Sequence, residues 1–172
     1  MQKVTSYFMG YDETEKIRAD IKSFRCADEI IVADSWSKDG TAEIAQEMGV
    51  RVIKIKFEGY GALRNKVLTE CSHDRIFSLD SDERCTPEVA KEIAERINSE
   101  NSLNVYFVPR RNNFMGRCIK HSGWFPNHRQ PQLFRKNAVH YCLKLGMKAR
   151  CLRQSNPLDT YVMQFGSALL KT

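Results

Sequence analysis

One feature restricts this chain more than any other: across its first hundred residues, apolar runs of strand length alternate with stretches whose apolar residues recur at helical spacing. Strands that alternate with helices pair side by side in parallel and need helices over both faces. The fold class expected is therefore α/β. Val4–Met9, Glu29–Ala33, Val52–Phe57 and Arg75–Leu79 read as the strands. Between the first two, Asp12 and Glu15 have the spacing of a capping box, opening a helix with Ile17 and Ile21 on its inner side. A second helix passes through Ile44 and Met48 and stops at Gly49, and a third covers Gly61–Glu70. Thr86 caps a fourth, with Pro87 at its first position and Val89, Ile93 and Ile97 facing inward. After Leu103 the texture turns β-like, with short strands at Val105–Val108 and Gln132–Arg135 around a stretch rich in Gly, Asn and Arg.

In an open α/β sheet, ligands collect beyond the carboxyl ends of the strands. Asp34 ends the second strand and Asp80-Ser81-Asp82-Glu83 ends the fourth, so the two are expected to line one crevice. Two carboxylates one residue apart on extended backbone suit a hard divalent ion, Mg2+ or Mn2+, which bridges carboxylates to phosphate oxygens and offsets charge on a departing diphosphate. The same acidic run also serves as a helix cap or a solvated turn, and spacing alone does not choose between them.

Charge is divided unevenly along the 172 residues. Positions 1–100 hold 15 Lys and Arg against 20 Asp and Glu, whereas positions 101–172 hold 12 Lys and Arg against Asp159 alone. The basic half suits a phosphorylated or anionic partner, and contact with an anionic membrane surface is expected there. Nucleic acid is not expected, because aromatic residues are not interleaved with Lys and Arg on a recognisable strand. The first residues contain no apolar run of signal length, and no window reaches the length of a membrane span. The expected location is cytoplasmic, peripheral on the inner face of the inner membrane. Six cysteines without a Cys-x-x-Cys pair read as free thiols.

Four segments in order resemble family 2 glycosyltransferases. They are Gly10-Tyr11-Asp12-Glu13, Ala33-Asp34-Ser35-Trp36-Ser37-Lys38-Asp39-Gly40-Thr41, Gly61-Ala62-Leu63-Arg64-Asn65 and Phe77-Ser78-Leu79-Asp80-Ser81-Asp82-Glu83. Arg110–Gly116, Gly123–Pro126 and Pro131–Arg135 are similar to the branch that adds sugars to the lipopolysaccharide core. The resemblance implies a GT-A, Rossmann-like fold and transfer from a nucleotide-diphosphate sugar to a lipid-linked or lipopolysaccharide glycan acceptor. It places Tyr11, Asp12 and Glu13 beside the nucleotide base, Asp34 on the nucleotide, Arg64 and Asn65 near the donor phosphates, and Asp80 with Asp82 on the metal. In this sequence Ser35 stands where many relatives have Asp, and Asp12 where Asn is usual. Asp82 and Glu83 are the acids nearest the expected chemistry, with Glu83 the candidate base, although it also suits a helix cap. Trp124, His121, His128, Arg110 and Arg111 read equally as packing or solvated surface.

The resemblance covers about residues 3–136, which defines a nucleotide-sugar-binding domain at 1–136. Relatives continue with Val-His-Glu, whereas this chain reads Ala138-Val139-His140-Tyr141-Cys142 and then shows no sustained period. Residues 137–172 are therefore expected to be an atypical, shortened or frame-shifted segment, easily clipped, that leaves donor binding intact and transfer weak. Two other readings stay open: a non-catalytic nucleotide-sugar binder, and a metal-dependent phosphatase-like hydrolase with Asp80 as nucleophile.

Overall fold

The computed structural model describes residues 1–114, 117–118, 129–142, 150–152 and 169–171. The first four strands are β1 (Val4–Gly10), β2 (Glu29–Asp34), β3 (Arg51–Lys54) and β4 (Arg75–Ser78), interleaved with helices α1 (Thr14–Ser23), α2 (Thr41–Glu47) and α3 (Tyr60–Glu70). They form the order β3-β2-β1-β4, all parallel. Next come β5 (Glu83–Arg84), α4 (Pro87–Ile97), β6 (Val105–Phe114), β7 (Arg117–Cys118) and β8 (Arg129–Arg135). The chain then forms β9 (Val139–Tyr141), β10 (Arg150–Leu152) and β11 (Leu169–Lys171). Strand β8 runs antiparallel to both β4 and β6, and the sheet continues through β11, parallel to β6, to β5. This is the expected α/β class, a mostly parallel central sheet flanked by helices.

Side chains alternate across a strand, so each central strand feeds two cores. Phe8, Val32, Phe77 and Leu133 point into one core, where Ile17 and Ile21 of α1 meet Val89, Ile93 and Ile97 of α4. Their chain neighbours Tyr7, Ile31, Ile76 and Phe134 point into the other, which Val67 and Leu68 of α3 cover. Val139 and Tyr141 of β9 also belong to this second core, so packed structure runs past residue 136. Beyond Cys142 most of the expected atypical segment lies outside the described residues, as do Trp124, His121 and His128.

Most expected elements form, with instructive differences. Helix α4 begins as expected, with Thr86 Oγ1 accepting from the Val89 amide at 3.3 Å and Pro87 in the first turn. Helix α2 stops at Gly49, whose φ of 76° favours glycine. The capping box at α1 does not form. Glu13 takes the cap position without a side-chain bond, and the Thr14 amide donates at 3.0 Å to Asp39 of the next loop. Strand β3 ends at Lys54 rather than Phe57, because the backbone turns away toward Gly59, with φ 106°, to start α3. The cysteines are not all thiols: Cys26, Cys71 and Cys85 are free, whereas Cys142 is disulfide-bonded. Spacing could exclude a Cys-x-x-Cys site but not a bridge closed by the fold.

Candidate functional site

The site is built where β1, β2 and β4 end side by side. Its first two loops are tied to each other. The Asp12 amide donates to Ser37 Oγ at 3.0 Å, and Asp12 Oδ1 accepts from the Lys38 amide at 2.9 Å. The Glu13 amide donates to Thr41 Oγ1 at 2.8 Å, and that hydroxyl donates to Asp39 Oδ1 at 2.6 Å. Asp12 sits at φ 51° and Trp36 at φ 64°, left-handed conformations that side chains rarely adopt. An Asx residue tolerates that geometry well; for tryptophan it is held by the turn in which Asp34 accepts from the Ser37 amide at 3.2 Å. Burial tends to raise the Asp39 carboxyl, but bonds from Thr41 and Thr14 outweigh it and hold the group at about 2.

The acid loop that follows β4 is tied to the first loop by Ser81 Oγ, which donates to Glu13 Oε1 at 3.0 Å. Beneath it lie three buried ion pairs. Asp80 Oδ1 meets Arg64 Nη2 at 2.5 Å, Glu83 Oε1 meets Arg110 Nη1 at 2.5 Å, and Arg84 pairs with Asp20 of α1. Arg64 is only 1% exposed; its Nη1 also donates to Ser78 Oγ, and its guanidinium lies over the Tyr141 ring. Burial alone lowers the Arg64 pKa, yet Tyr7, Tyr141 and Asp80 outweigh that and raise it, so the cation persists. Burial pushes the Glu83 carboxyl upward against the pull of Arg110. Oxygens of Asp80, Asp82 and Glu83 lie within 4.8 Å of one another, a hard donor set of the right size for a divalent ion. Glu83 is fully buried and does not line the cleft, whereas Asp80 and Asp82 do, which points to those two as the pair that would hold the ion.

A cleft of about 550 Å3 opens above this loop. Its lining comes from four stretches of chain: Met9, Gly10, Tyr11 and Glu13; Ser35; Phe57, Tyr60 and Leu63; and Asp80, Ser81 and Asp82. Of the residues expected from sequence, Tyr11, Glu13, Asp80 and Asp82 reach this space. Asp34 is fully buried at the end of β2 and organises the turn beneath, leaving Ser35 on the wall. Asp12 is spent on loop bonding. Arg64, expected near the phosphates, instead backs Asp80. Asn65 is turned away altogether: its Nδ2 donates to the Tyr141 carbonyl and its Oδ1 accepts from the Tyr141 amide, both at 2.9 Å.

Phe57 and Tyr60, which sequence reasoning did not select, are half-exposed and pack edge to face with centroids 5.1 Å apart. Their signal was a pair of aromatics three residues apart around Gly59, obscured because Phe57 read as the end of a strand. Trp36 is also exposed nearby in the chain's second loop, with Lys54 Nζ 5.3 Å above its ring.

Comparison with known proteins places this geometry in a lineage. The profile described as Glycosyl transferase family 2 matches residues 11–150. An uncharacterised glycosyltransferase of Rickettsia bellii is 33% identical over 101 residues, covering 58% of this chain and 34% of the relative. The lipopolysaccharide core biosynthesis glycosyltransferase LpsC of Rhizobium meliloti is 30% identical over 97 residues, covering 54% and 36%. This chain thus spans about a third of the length of those relatives. Among solved structures, the 1–349 portion of S. aureus TarS aligns with TM-score 0.74 at 16% identity, covering 99% of this chain and 60% of that one. Glucosyl-3-phosphoglycerate synthase of Mycobacterium tuberculosis, in complex with Mn2+, UDP and glucosyl-3-phosphoglycerate, aligns with TM-score 0.54 at 21% identity, covering 65% and 44%.

Proposed function

Because this chain belongs to glycosyl transferase family 2, we propose that it is the donor-binding portion of an enzyme that transfers a sugar from a nucleotide-diphosphate sugar to a glycan acceptor. The observation that carries this reading is one cleft lined both by Asp80 and Asp82, just past the end of β4, and by the aromatic residues Tyr11, Phe57 and Tyr60. Acids and aromatic faces in one cleft suit the two chemistries of a nucleotide diphosphate, its charged phosphates and its flat base. A bound Mg2+ or Mn2+ would be held by Asp80 and Asp82 and would neutralise the diphosphate as it leaves. The chain's own part is to seat Asp80 against Arg64, to keep Asp82 at the cleft, and to offer ring faces to a base. The Mn2+ and UDP bound by the mycobacterial synthase support the same choice of ion and nucleotide.

The acceptor is proposed to be a lipid-linked or lipopolysaccharide glycan, in line with the likeness to LpsC. The basic second half supports peripheral contact with an anionic membrane from the cytoplasmic side, and no helix among the described residues is long and apolar enough to cross a membrane. All residues proposed to meet the donor precede residue 136. The segment proposed to depart from a family-type acceptor half is 137–172, and its first residues Val139 and Tyr141 pack into the core. Calorimetry with UDP-, GDP- and dTDP-sugars, with and without Mn2+, tests the reading. Metal-dependent binding of one donor class is expected, and no binding to any of them would remove the proposal.

A further inference from the structure

The acid loop contains one carboxylate that the metal reading leaves without a task. Glu83 is fully buried, and both its oxygens are engaged: Oε1 faces Arg110 Nη1 at 2.5 Å, and Oε2 accepts from Gln132 Nε2 at 2.6 Å and from the Asp80 amide at 3.0 Å. Its own amide donates to the Asp80 carbonyl at 3.0 Å. Glu83 therefore grips both main-chain polar groups of Asp80 and closes the intervening Ser81 and Asp82 into a tight turn. Arg110 and Gln132, themselves buried, come from the neighbouring strands β6 and β8, so the grip is anchored in the sheet rather than in a loop.

We propose that Glu83, seated by Arg110 and Gln132, is the positioning residue that sets Asp80 and Asp82 at the spacing their cation needs, and that it is not the base that deprotonates the acceptor. The inference rests on the metal reading above. A general base must come within hydrogen-bond reach of the acceptor hydroxyl, and a carboxylate enclosed on both oxygens, with no exposed surface, does not. Metal ligands, by contrast, must be held within about 0.5 Å of productive geometry by partners whose own rotamers are locked. A buried carboxylate between two strand-borne donors supplies that hold.

The test measures metal directly, so it does not depend on turnover. Mn2+ binding is followed by the paramagnetic resonance signal of the free ion, and UDP binding by calorimetry with and without Mn2+, in wild type, Glu83→Gln, Gln132→Ala and Asp80→Asn. Glu83→Gln keeps the size of the side chain but removes the charge that faces Arg110 and accepts two donors. It is expected to weaken Mn2+ binding by about 10- to 100-fold, the usual cost of losing a group that orients metal ligands. Metal-dependent UDP affinity should fall in step, and metal-free UDP binding should not move. Gln132→Ala leaves the Arg110 pair in place and should weaken Mn2+ by about tenfold; if Glu83→Gln does not fold, wild-type Mn2+ affinity in Gln132→Ala overturns the inference. Wild-type Mn2+ affinity in a folded Glu83→Gln protein, with Asp80→Asn impaired, overturns this inference alone. Absence of Mn2+ binding by wild type overturns the metal reading and this inference with it.

Discussion

Asn65 offers the sharpest choice between what a family motif implies and what this fold does with it. The motif places it near donor phosphates, whereas here its amide makes two bonds of 2.9 Å to the main chain of Tyr141, pinning β9 to α3. Truncation by Asn65→Ala removes both and strands a partly buried amide and carbonyl. At about 1 kcal/mol net for each bond, the loss comes to about 2 kcal/mol. With a urea dependence of about 2 kcal/mol per molar, the unfolding midpoint should fall by about 1 M. Donor affinity should stay within about threefold, because nothing at the cleft changes. Asn65→Asp keeps the acceptor for the Tyr141 amide but sets an oxygen against the Tyr141 carbonyl, and should destabilise at least as much. Chemical denaturation by circular dichroism and calorimetry with the cognate donor measure the two effects separately. A tenfold loss of donor affinity, about 1.4 kcal/mol, with an unmoved midpoint would refute the structural assignment of Asn65.

Three further outcomes are expected. Asp80→Asn and Asp82→Asn should abolish the Mn2+ response of UDP binding; Asp82→Asn should melt near wild type, whereas Asp80→Asn leaves the charge of buried Arg64 uncompensated and should lose stability, though less than Asp80→Ala, for which the cost is about 3 to 5 kcal/mol. The Asp39 carboxyl is held at about 2, below its unfolded value, so its support of the α1 start is complete above about pH 4 and is lost as pH falls through about 2. Carboxyl titration by NMR checks this, and Asp39→Ala should lower the melting temperature without that acid-side dependence. Flotation with anionic liposomes should succeed at low salt and fail at high salt, at about 1 kcal/mol per basic residue near the surface, and indifference to salt would remove the membrane proposal.

What the sequence made legible was whatever depends on neighbours in the chain. The strands announced themselves by composition, and α4 by Thr86, Pro87 and the spacing of Val89, Ile93 and Ile97, all within one turn or three of each other. What it hid depends on partners brought together by the fold. Asp12 and Glu15 carry a local capping signal, yet the cap that forms comes from Asp39, 25 residues from the Thr14 amide it accepts. Asn65 and Tyr141 are 76 residues apart, and Glu83 and Gln132 are 49 apart. An acid beside two other acids reads as part of their chemistry until its depth is known, and depth is a property of the sheet, not of the motif. Phe57 shows the converse: an apolar residue that continues a strand-like run reads as the end of that strand, whereas the strand stops at Lys54 and Phe57 is half-exposed at the cleft.

The sheet order has a consequence for how the molecule comes together in time. The acid loop leaves β4 at residue 78 and enters β5 at Glu83, but β8 and β6, which carry the donors to Glu83, arrive only with residues 105–135. Contacts that close long stretches of chain form late, because their loop entropy must be overcome before they contribute. A nascent chain that has emerged as far as α4 already carries Asp80 and Asp82 but has neither Arg110 nor Gln132 to hold the turn between them. The turn proposed to hold the cation is thus among the last local structures to set, and a chain that stalls before β8 docks would keep its first four strands without a fixed seat for the proposed metal.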